Sequence, residues 1–514
     1  MWGMTSTSSE PQPGARPALP FGPILRWRGE KDGTAVIEVT AIGDRPAPLA
    51  AEPPARASGG GAFARIGSLA GTAFWSARLE VPAATRGEVH FRLEGVRHIV
   101  HLPGMGGALR FAFASCNGAE SDAAADAAPG GRGRLWAGLA SVHDTDPFHL
   151  LVLGGDQIYA DALWDLPSMR AWSALPRRSR HAAPFTGAMR SELEAHYLAT
   201  YRSAFGVPAV ADVLARIPSL MIWDDHDIVD GWGSRPAAWQ RSPVAQGLFE
   251  VARRAFCLVQ LGLDPDVHAP PHGAEGTIGC VRLIVPDLRS ERTRGRVLGA
   301  EGRRRLEGAV PSVSEPHAVV IASVPLVNAD LSAAERLVAP LQPMVDLYQD
   351  DLRDQWMSFR HRREWAWVMG TLLGLARRGH RVTVLSGEIH FGAHGTARGN
   401  GAAITQFIAS GIAHPPPPRG LRRIYETFAR LTRHRAGLRI RMHPVAPDGR
   451  RYVAERNWLE VDARPDGTLE AVLHAEESGA LRLETGGQER AGRHRSPRWG
   501  RARRCPAEGG TGRS

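Results

Sequence analysis

From about residue 22 to residue 105, apolar and polar residues alternate at period two. Ile37 and Val39 alternate with Glu38 and Thr40. Trp75, Ala77, Leu79 and Val81 alternate with Ser76, Arg78 and Glu80, and Val89, Phe91 and Leu93 with His90, Arg92 and Glu94. Half-buried antiparallel strands leave this signature, because successive side chains of a strand point to opposite faces. A Pro/Ala/Gly-rich interval at 44–62 reads as a long loop. Residues 21–106 are therefore expected to form a small all-β sandwich domain. The segment carries no cluster of acids or histidines and is assigned no chemistry.

The pattern changes at Leu109. Short apolar runs now replace alternation: RFAFA, LLVLG, SLMIW, and further strands at 280–285, 318–324, 382–385 and 403–408. Such runs suit parallel strands covered on both faces. Helical periodicity lies between them at 135–143, 191–205, 244–261 and 363–378, and again at 421–435, where Leu421, Ile424, Tyr425, Phe428 and Leu431 share one face. Alternating strands and helices indicate one α/β domain over 107–485, closed by that last helix and a hairpin turning at Pro465, Asp466 and Gly467. Residues 1–20 and 486–514 are expected to be disordered tails.

Composition alters this picture little. The chain has 514 residues, 43% hydrophobic and 23% charged, as a soluble globular protein does. Its net charge of +10 is carried almost wholly by arginine, and the seven arginines of 490–504 account for most of it. The folded body is thus near neutral, and no specific nucleic-acid partner is expected. Cys116, Cys257, Cys280 and Cys505 show no CxxC spacing, so reduced thiols are the default. There is no apolar signal region, no twin arginine and no apolar run of membrane-spanning length, so a cytoplasmic protein without a transmembrane segment is expected, with export by an unrecognised route left open. Nothing in the pattern bears on oligomeric state.

The chemistry concentrates where the apolar runs stop. Four strand ends carry polar clusters: Ser115-Cys116-Asn117, Gly155-Asp156-Gln157-Ile158-Tyr159, Asp224-Asp225-His226-Asp227 and Ser386-Gly387-Glu388-Ile389-His390. Open α/β sheets bind ligands at the carboxyl ends of their strands. Taken singly, Cys116 reads as a small buried hydrophobe, Tyr159 as core packing, His226 as a satisfied histidine and Asp224 as a loop anchor. Together they place several carboxylates near one another, which is prohibitive without a shared cation. Oxygen, nitrogen and thiolate donors from separate strands are the makings of a transition-metal pair.

The spaced set SCN, GDxxY, WDDHD and SGEIH over about 109–412 resembles the calcineurin-like metallophosphoesterases, and within them the alkaline phosphatase D (PhoD-like) branch, in which a cysteine replaces the first aspartate. Glu388 and Asp230-Gly231 depart from that branch's usual aspartate and paired asparagines. The resemblance implies a four-layered α/β/β/α catalytic domain preceded by the small all-β sandwich. It implies that Cys116, Asp156, Tyr159 and His390 hold one metal ion and that Asp156, Asp225 and Glu388 hold a second. The first would be iron(III) and the second a hard divalent cation, calcium, manganese or magnesium. Asp230 is a further candidate oxygen donor. His226 would protonate the leaving oxygen, Arg289 of the segment VPDLRSERTRG would grip phosphate oxygens, and His394 would line the pocket. The expected activity is hydrolysis of phosphate mono- or diesters by a metal-bound hydroxide. The rival expectation is a catalytically inactive relative that binds phosphate esters as an interaction protein.

Overall fold

A computed structural model describes residues 22–119, 126, 130–267, 273–309, 314–329, 355–358, 360–430 and 433–484. The expected tails, the arginine-rich 490–504 stretch and Cys505 lie outside the described residues. Two large sheets organise the molecule. Four strands of the first run parallel: Leu109–Ala114, Leu150–Gly154, Ser219–Ile222 and Ile24–Lys31. The second has its own parallel set, Val281–Pro286, His317–Ile321, Arg381–Ser386 and Ala402–Ile408. Phe111, Phe113, Val152, Leu283, Val319 and Leu385 fill one core, and this core is apolar because the strands that form it alternate or run continuously in hydrophobic residues. A second core joins Leu151 and Leu153 to helices Arg134–Thr145, Gly187–Phe205 and Pro243–Phe256. A third joins Val320 and Val384 to Arg362–Arg377. The molecule is an α/β protein with a small three-stranded sheet associated with it, formed by Ala50–Ala51, Arg86–Leu93 and Val96–Pro103.

The N-terminal strands form where the alternation puts them, but their partners differ from a free-standing sandwich. Ile24–Lys31 pairs in parallel with Ser219–Ile222, with Arg26 opposite Ser219, so the first large sheet crosses residue 106 without a break. Periodicity fixes which face of a strand is buried and leaves its neighbour open. Arg26 is buried in this seam. It donates from Nε to the Gln260 carbonyl at 2.6 Å and also bonds Val259 O. Gln260 lies in the π-helical turn Cys257–Leu261 that ends the Pro243–Phe256 helix, and its side chain donates to Asp227 Oδ1 at 2.7 Å. The N-terminal strand is thereby tied to the loop that carries Asp224 to Asp227.

One helix is shorter than its periodicity predicts. The segment expected at 421–435 is helical over Arg419–Ala429, and Arg433–Arg435 is already a strand paired with Leu438–His443. Ala436 and Gly437 make the turn between them, both with positive φ, as a two-residue hairpin requires. No helix among the described residues is long and apolar enough to cross a membrane.

Candidate metal centre

Seven parallel strands from the two sheets deliver their carboxyl ends to one place. Leu109–Ala114 delivers Cys116, Leu150–Gly154 delivers Asp156, and Ser219–Ile222 delivers Asp224 and Asp225. From the second sheet come Arg289, Ser323, Glu388 with His390, and Ser410 with His414. Close approach demands glycine twice. A Cβ on Gly155 would lie 2.9 Å from that of Asp224, and one on Gly387 would lie 2.1 Å from Ser115 Oγ. Both therefore act as the glycines of a functional loop do.

Backbone strain is concentrated in the same residues. Cys116, Asp156, Glu388 and His390 have φ of 54°, 53°, 67° and 54°. The other described non-glycine residues with positive φ, Asp32, Ala70, Glu94, Asn400 and Ala436, each sit in a turn between paired strands. A left-handed conformation in a non-glycine residue away from a hairpin persists only where the surroundings over-determine it. Four of the six expected ligands are held this way.

The side chains meet. The Cys116 thiol donates to Asp156 Oδ2 at 3.5 Å and lies 3.2 Å from Ser410 Oγ. Asp156, Asp224 and Asp225 present carboxylate oxygens to one another, and Asp225, His226 and Asp230 form a second group that shares Asp225. Each group has the spacing to hold a metal ion. Burial and then Asp156 push the Cys116 thiol well above its usual range. Burial likewise drives Asp156 up, against the pull of His226 and with Asp224 and Asp225 adding to it. Burial also raises Asp227 to about 7 and Asp230 to about 6. Asp225 is the exception. Burial acts on it too, but Arg289 and His226 hold it down at about 2.

Several donors are unmatched. Asp156 Oδ1, Asp224 Oδ2 and His390 Nδ1 have no hydrogen-bond partner among the described residues. Burial, with His414 and His226 nearby, keeps His390 neutral well below the usual histidine range, which leaves a lone pair to donate. A cation is what this donor set fits: it would reverse the raised thiol and carboxyl values and occupy the unmatched oxygens.

Arg289 reaches the centre from the segment that follows Val281–Pro286. It is fully buried. Nε bonds Asp224, and Nη2 lies 3.3 Å from Asp225 and 3.7 Å from Glu388. The guanidinium is the internal counter-charge of the carboxylates. Asp224 spends Oδ1 on Arg289 and on Ser323 Oγ at 2.8 Å. Asp227 is wholly structural. Its oxygens accept from the backbone N–H of Gln157, Ile158 and Asp224 and so tie two strand-end loops together. His394 has ring contacts of its own. It packs on Phe407 and His443 with ring centroids 4.9 and 4.8 Å away.

Two contributors have weak sequence signals. Asp161 accepts from His226 Nδ1 at 2.6 Å through Oδ2 and from the Asp230 amide at 2.7 Å through Oδ1. Burial opposes charging of His226, but Asp161, Asp225 and Asp156 outweigh it and push the imidazole well above its usual range. His414 stacks on His390 at 3.6 Å and on Tyr159 at 5.4 Å. Asp161 follows Tyr159 by two residues and could have been read from that spacing. His414 is marked only by the proline run that follows it. Residues 162–184 fold as short helices that stack Trp164 and Trp172 beside Trp239.

Comparison with known proteins agrees with this geometry. The family model described as PhoD related phosphatase matches residues 105–268, the stretch that supplies Cys116, Asp156, Tyr159 and Asp225. The solved structure of PhoD superposes with a TM-score of 0.54 at 12% identity, covering 93% of this chain and 94% of that one, which shows a shared fold. An uncharacterized protein of Saccharomyces cerevisiae, YGR266W, is 22% identical over 395 residues, 58% of this chain. The chain spans 56% of that relative's length. Fold and strand-end clusters together define a metallophosphoesterase-type α/β protein. Over residues 105–268 the chain is similar to the PhoD related phosphatases of that class.

Proposed function

We propose that the protein is a metal-dependent phosphoric ester hydrolase acting on phosphate mono- or diesters. The observation that carries this reading is the buried meeting of Asp156, Asp224 and Asp225 with the overlapping group of Asp225, His226 and Asp230. We assign Cys116, Asp156, Tyr159 and His390 to one ion and Asp156, Asp225 and Glu388 to a second, with Asp230 as an added donor. Thiolate and phenolate donors favour iron(III) in the first position, and oxygen donors favour calcium, manganese or magnesium in the second. The layering we favour is α/β/β/α, supported by one core between the sheets and helix-facing cores outside each.

When bound, the ions would stabilise charge on the phosphoryl oxygens and make water acidic enough to attack phosphorus. The rest falls to the chain. Asp161 fixes the His226 tautomer, with Nδ1–H donated to the carboxylate, and leaves Nε2 to carry the proton that departs with the alcohol. Arg289 keeps Asp225 ionised. The floor of Cys116, Asp156, Asp225 and Arg289 is buried, whereas His226, Asp230, Glu388 and His390 are partly exposed and form the side an ester would reach.

The direct test is release of p-nitrophenol from the mono- and bis-esters by protein supplied with iron, manganese or calcium. Activity is expected, its loss on chelation and its return on re-addition of metal. Metal retained with no turnover on either ester would overturn hydrolysis in favour of phosphate-ester binding.

Asp161→Asn checks the assigned proton donor. The amide still accepts a hydrogen bond but no longer stabilises imidazolium, so kcat is expected to fall by about 10²-fold on an alkyl phosphate, the lower end of a general acid's usual contribution. The fall should be much smaller on p-nitrophenyl phosphate, whose leaving group needs little protonation. Equal losses on both substrates would remove His226 from the donor role.

A further inference from the structure

Four aromatic rings form a continuous column through the site: His226, Tyr159, His414 and His390. Successive centroids are 4.3, 5.4 and 3.6 Å apart, with interplanar angles of 29°, 28° and 8°. His414 therefore sits between two residues assigned above to the same ion. We propose that His414 is a positioning residue, a spacer ring that sets the separation and plane of Tyr159 and His390 and so tunes the affinity of the first metal position. This rests on the metal-centre reading given above.

His390 needs such a support. A ligating histidine is ordinarily held by a hydrogen bond from its second ring nitrogen to a carbonyl or carboxylate. Neither ring nitrogen of His390 has a hydrogen-bond partner among the described residues, so whichever one binds the ion the other is unsupported; the fixed polar contact is through the backbone, where the His390 amide donates to Ser410 Oγ at 2.9 Å. The ring plane is instead set by face-to-face contact with His414 at van der Waals spacing.

His414 is itself rigidly placed. Its amide donates to Cys116 O at 3.1 Å, and Ile412 N donates to Ser115 O at 3.0 Å, so the loop bearing the ring is pinned to the strand end that bears the thiol. Ring rotation is fixed by Nδ1–H donating to Pro415 O at 2.7 Å. The turn behind it needs Gly411, with φ of 88°, where a Cβ would lie 2.9 Å from the His414 carbonyl oxygen. Backbone, ring tautomer and turn all specify one orientation for this side chain.

The experiment compares the parent, His414→Ala, His414→Phe and Asp156→Asn as full chains loaded with iron. It reads iron retained against a graded chelator and the visible absorption of an iron–phenolate pair. His414→Ala is expected to lose about 10–100-fold in iron affinity, the usual cost of removing support from a metal ligand, and to shift the absorption band. His414→Phe keeps the spacer without a ring nitrogen and is expected to retain the parent's affinity and band. Thermal melting of the chelated forms identifies a variant that fails to fold. Parent-like iron binding in His414→Ala would overturn the proposal. So would a His414→Phe variant as weak as His414→Ala, because the ring would then act through its nitrogen. If Asp156→Asn retains as much iron as the parent, the metal-centre reading itself fails. Loss in Asp156→Asn with none in His414→Ala defeats the spacer alone.

Discussion

Asp156→Asn is expected to abolish metal retention and phosphoesterase activity while leaving the metal-free protein as stable as the parent or more so. The two effects have one cause. Asp156 is buried beside Asp224 and Asp225, and burial followed by those neighbours raises its pKa, so the charge is a liability in the absence of a cation. Asparagine removes that charge in the same volume. It also tolerates the left-handed φ of 53° better than most residues, so the turn survives. Yet the unmatched Oδ1 and the Oδ2 that faces Cys116 are the oxygens best placed to serve both ions. Loss of a shared ligand should lower kcat/KM by about 10³-fold or more, equivalent to about 4 kcal/mol of transition-state stabilisation. Elemental analysis after dialysis, with melting curves recorded in chelator, checks both signs. Parent levels of two metals in the variant would remove Asp156 from the centre.

How much of this was legible in the sequence depends on what kind of information each residue carries. Cys116, Asp156, Asp225, Glu388 and His390 stood out because each follows an apolar run closely, and a run that stops in a polar cluster names a strand end. The strands at 280–285, 318–324, 382–385 and 403–408 appear within a few residues of those positions, as Val281–Pro286, His317–Ile321, Arg381–Ser386 and Ala402–Ile408. What could not be read was pairing. The alternation around Ile37 says that one face is buried, but not that Ile24–Lys31 lies beside Ser219–Ile222. Local chemistry was also missed where no pattern marks it. Ala436-Gly437 lacks the Asn-Gly or Asp-Gly signal of its turn type, so arginine-rich strand residues read as the tail of a helix. His414 and Asp161 gain their roles from residues far away in sequence, which periodicity cannot report. Arg289 was read from its segment as a grip on phosphate oxygens, and its burial among acids could come only from the fold.

That burial makes Arg289→Met the most destabilising single change expected here. The methionine fills much of the guanidinium's volume but leaves Asp224 and Asp225 facing each other without their counter-charge, and Glu388 without its neighbour at 3.7 Å. Breaking one side of a buried ion pair typically costs about 3–5 kcal/mol, because the remaining charge is left in a poor solvent. The contact with Asp224 is fully desolvated, with side-chain exposure of 0% for the arginine and 1% for the aspartate, so screening by water gives no relief. Metal-free Arg289→Met should therefore melt well below the parent. Two additions separate charge from packing. Adding Asp224→Asn to Arg289→Met should recover much of the loss, since it removes the carboxylate left unpaired. Added manganese or calcium should raise the melting temperature of Arg289→Met more than that of the parent, because a cation near Asp225 supplies the charge the arginine no longer does. A metal-free Arg289→Met that melts with the parent would show that the guanidinium is not the counter-charge of this cluster. Failure of the double variant to recover would place the defect in packing around Trp232, whose carbonyl Arg289 also contacts.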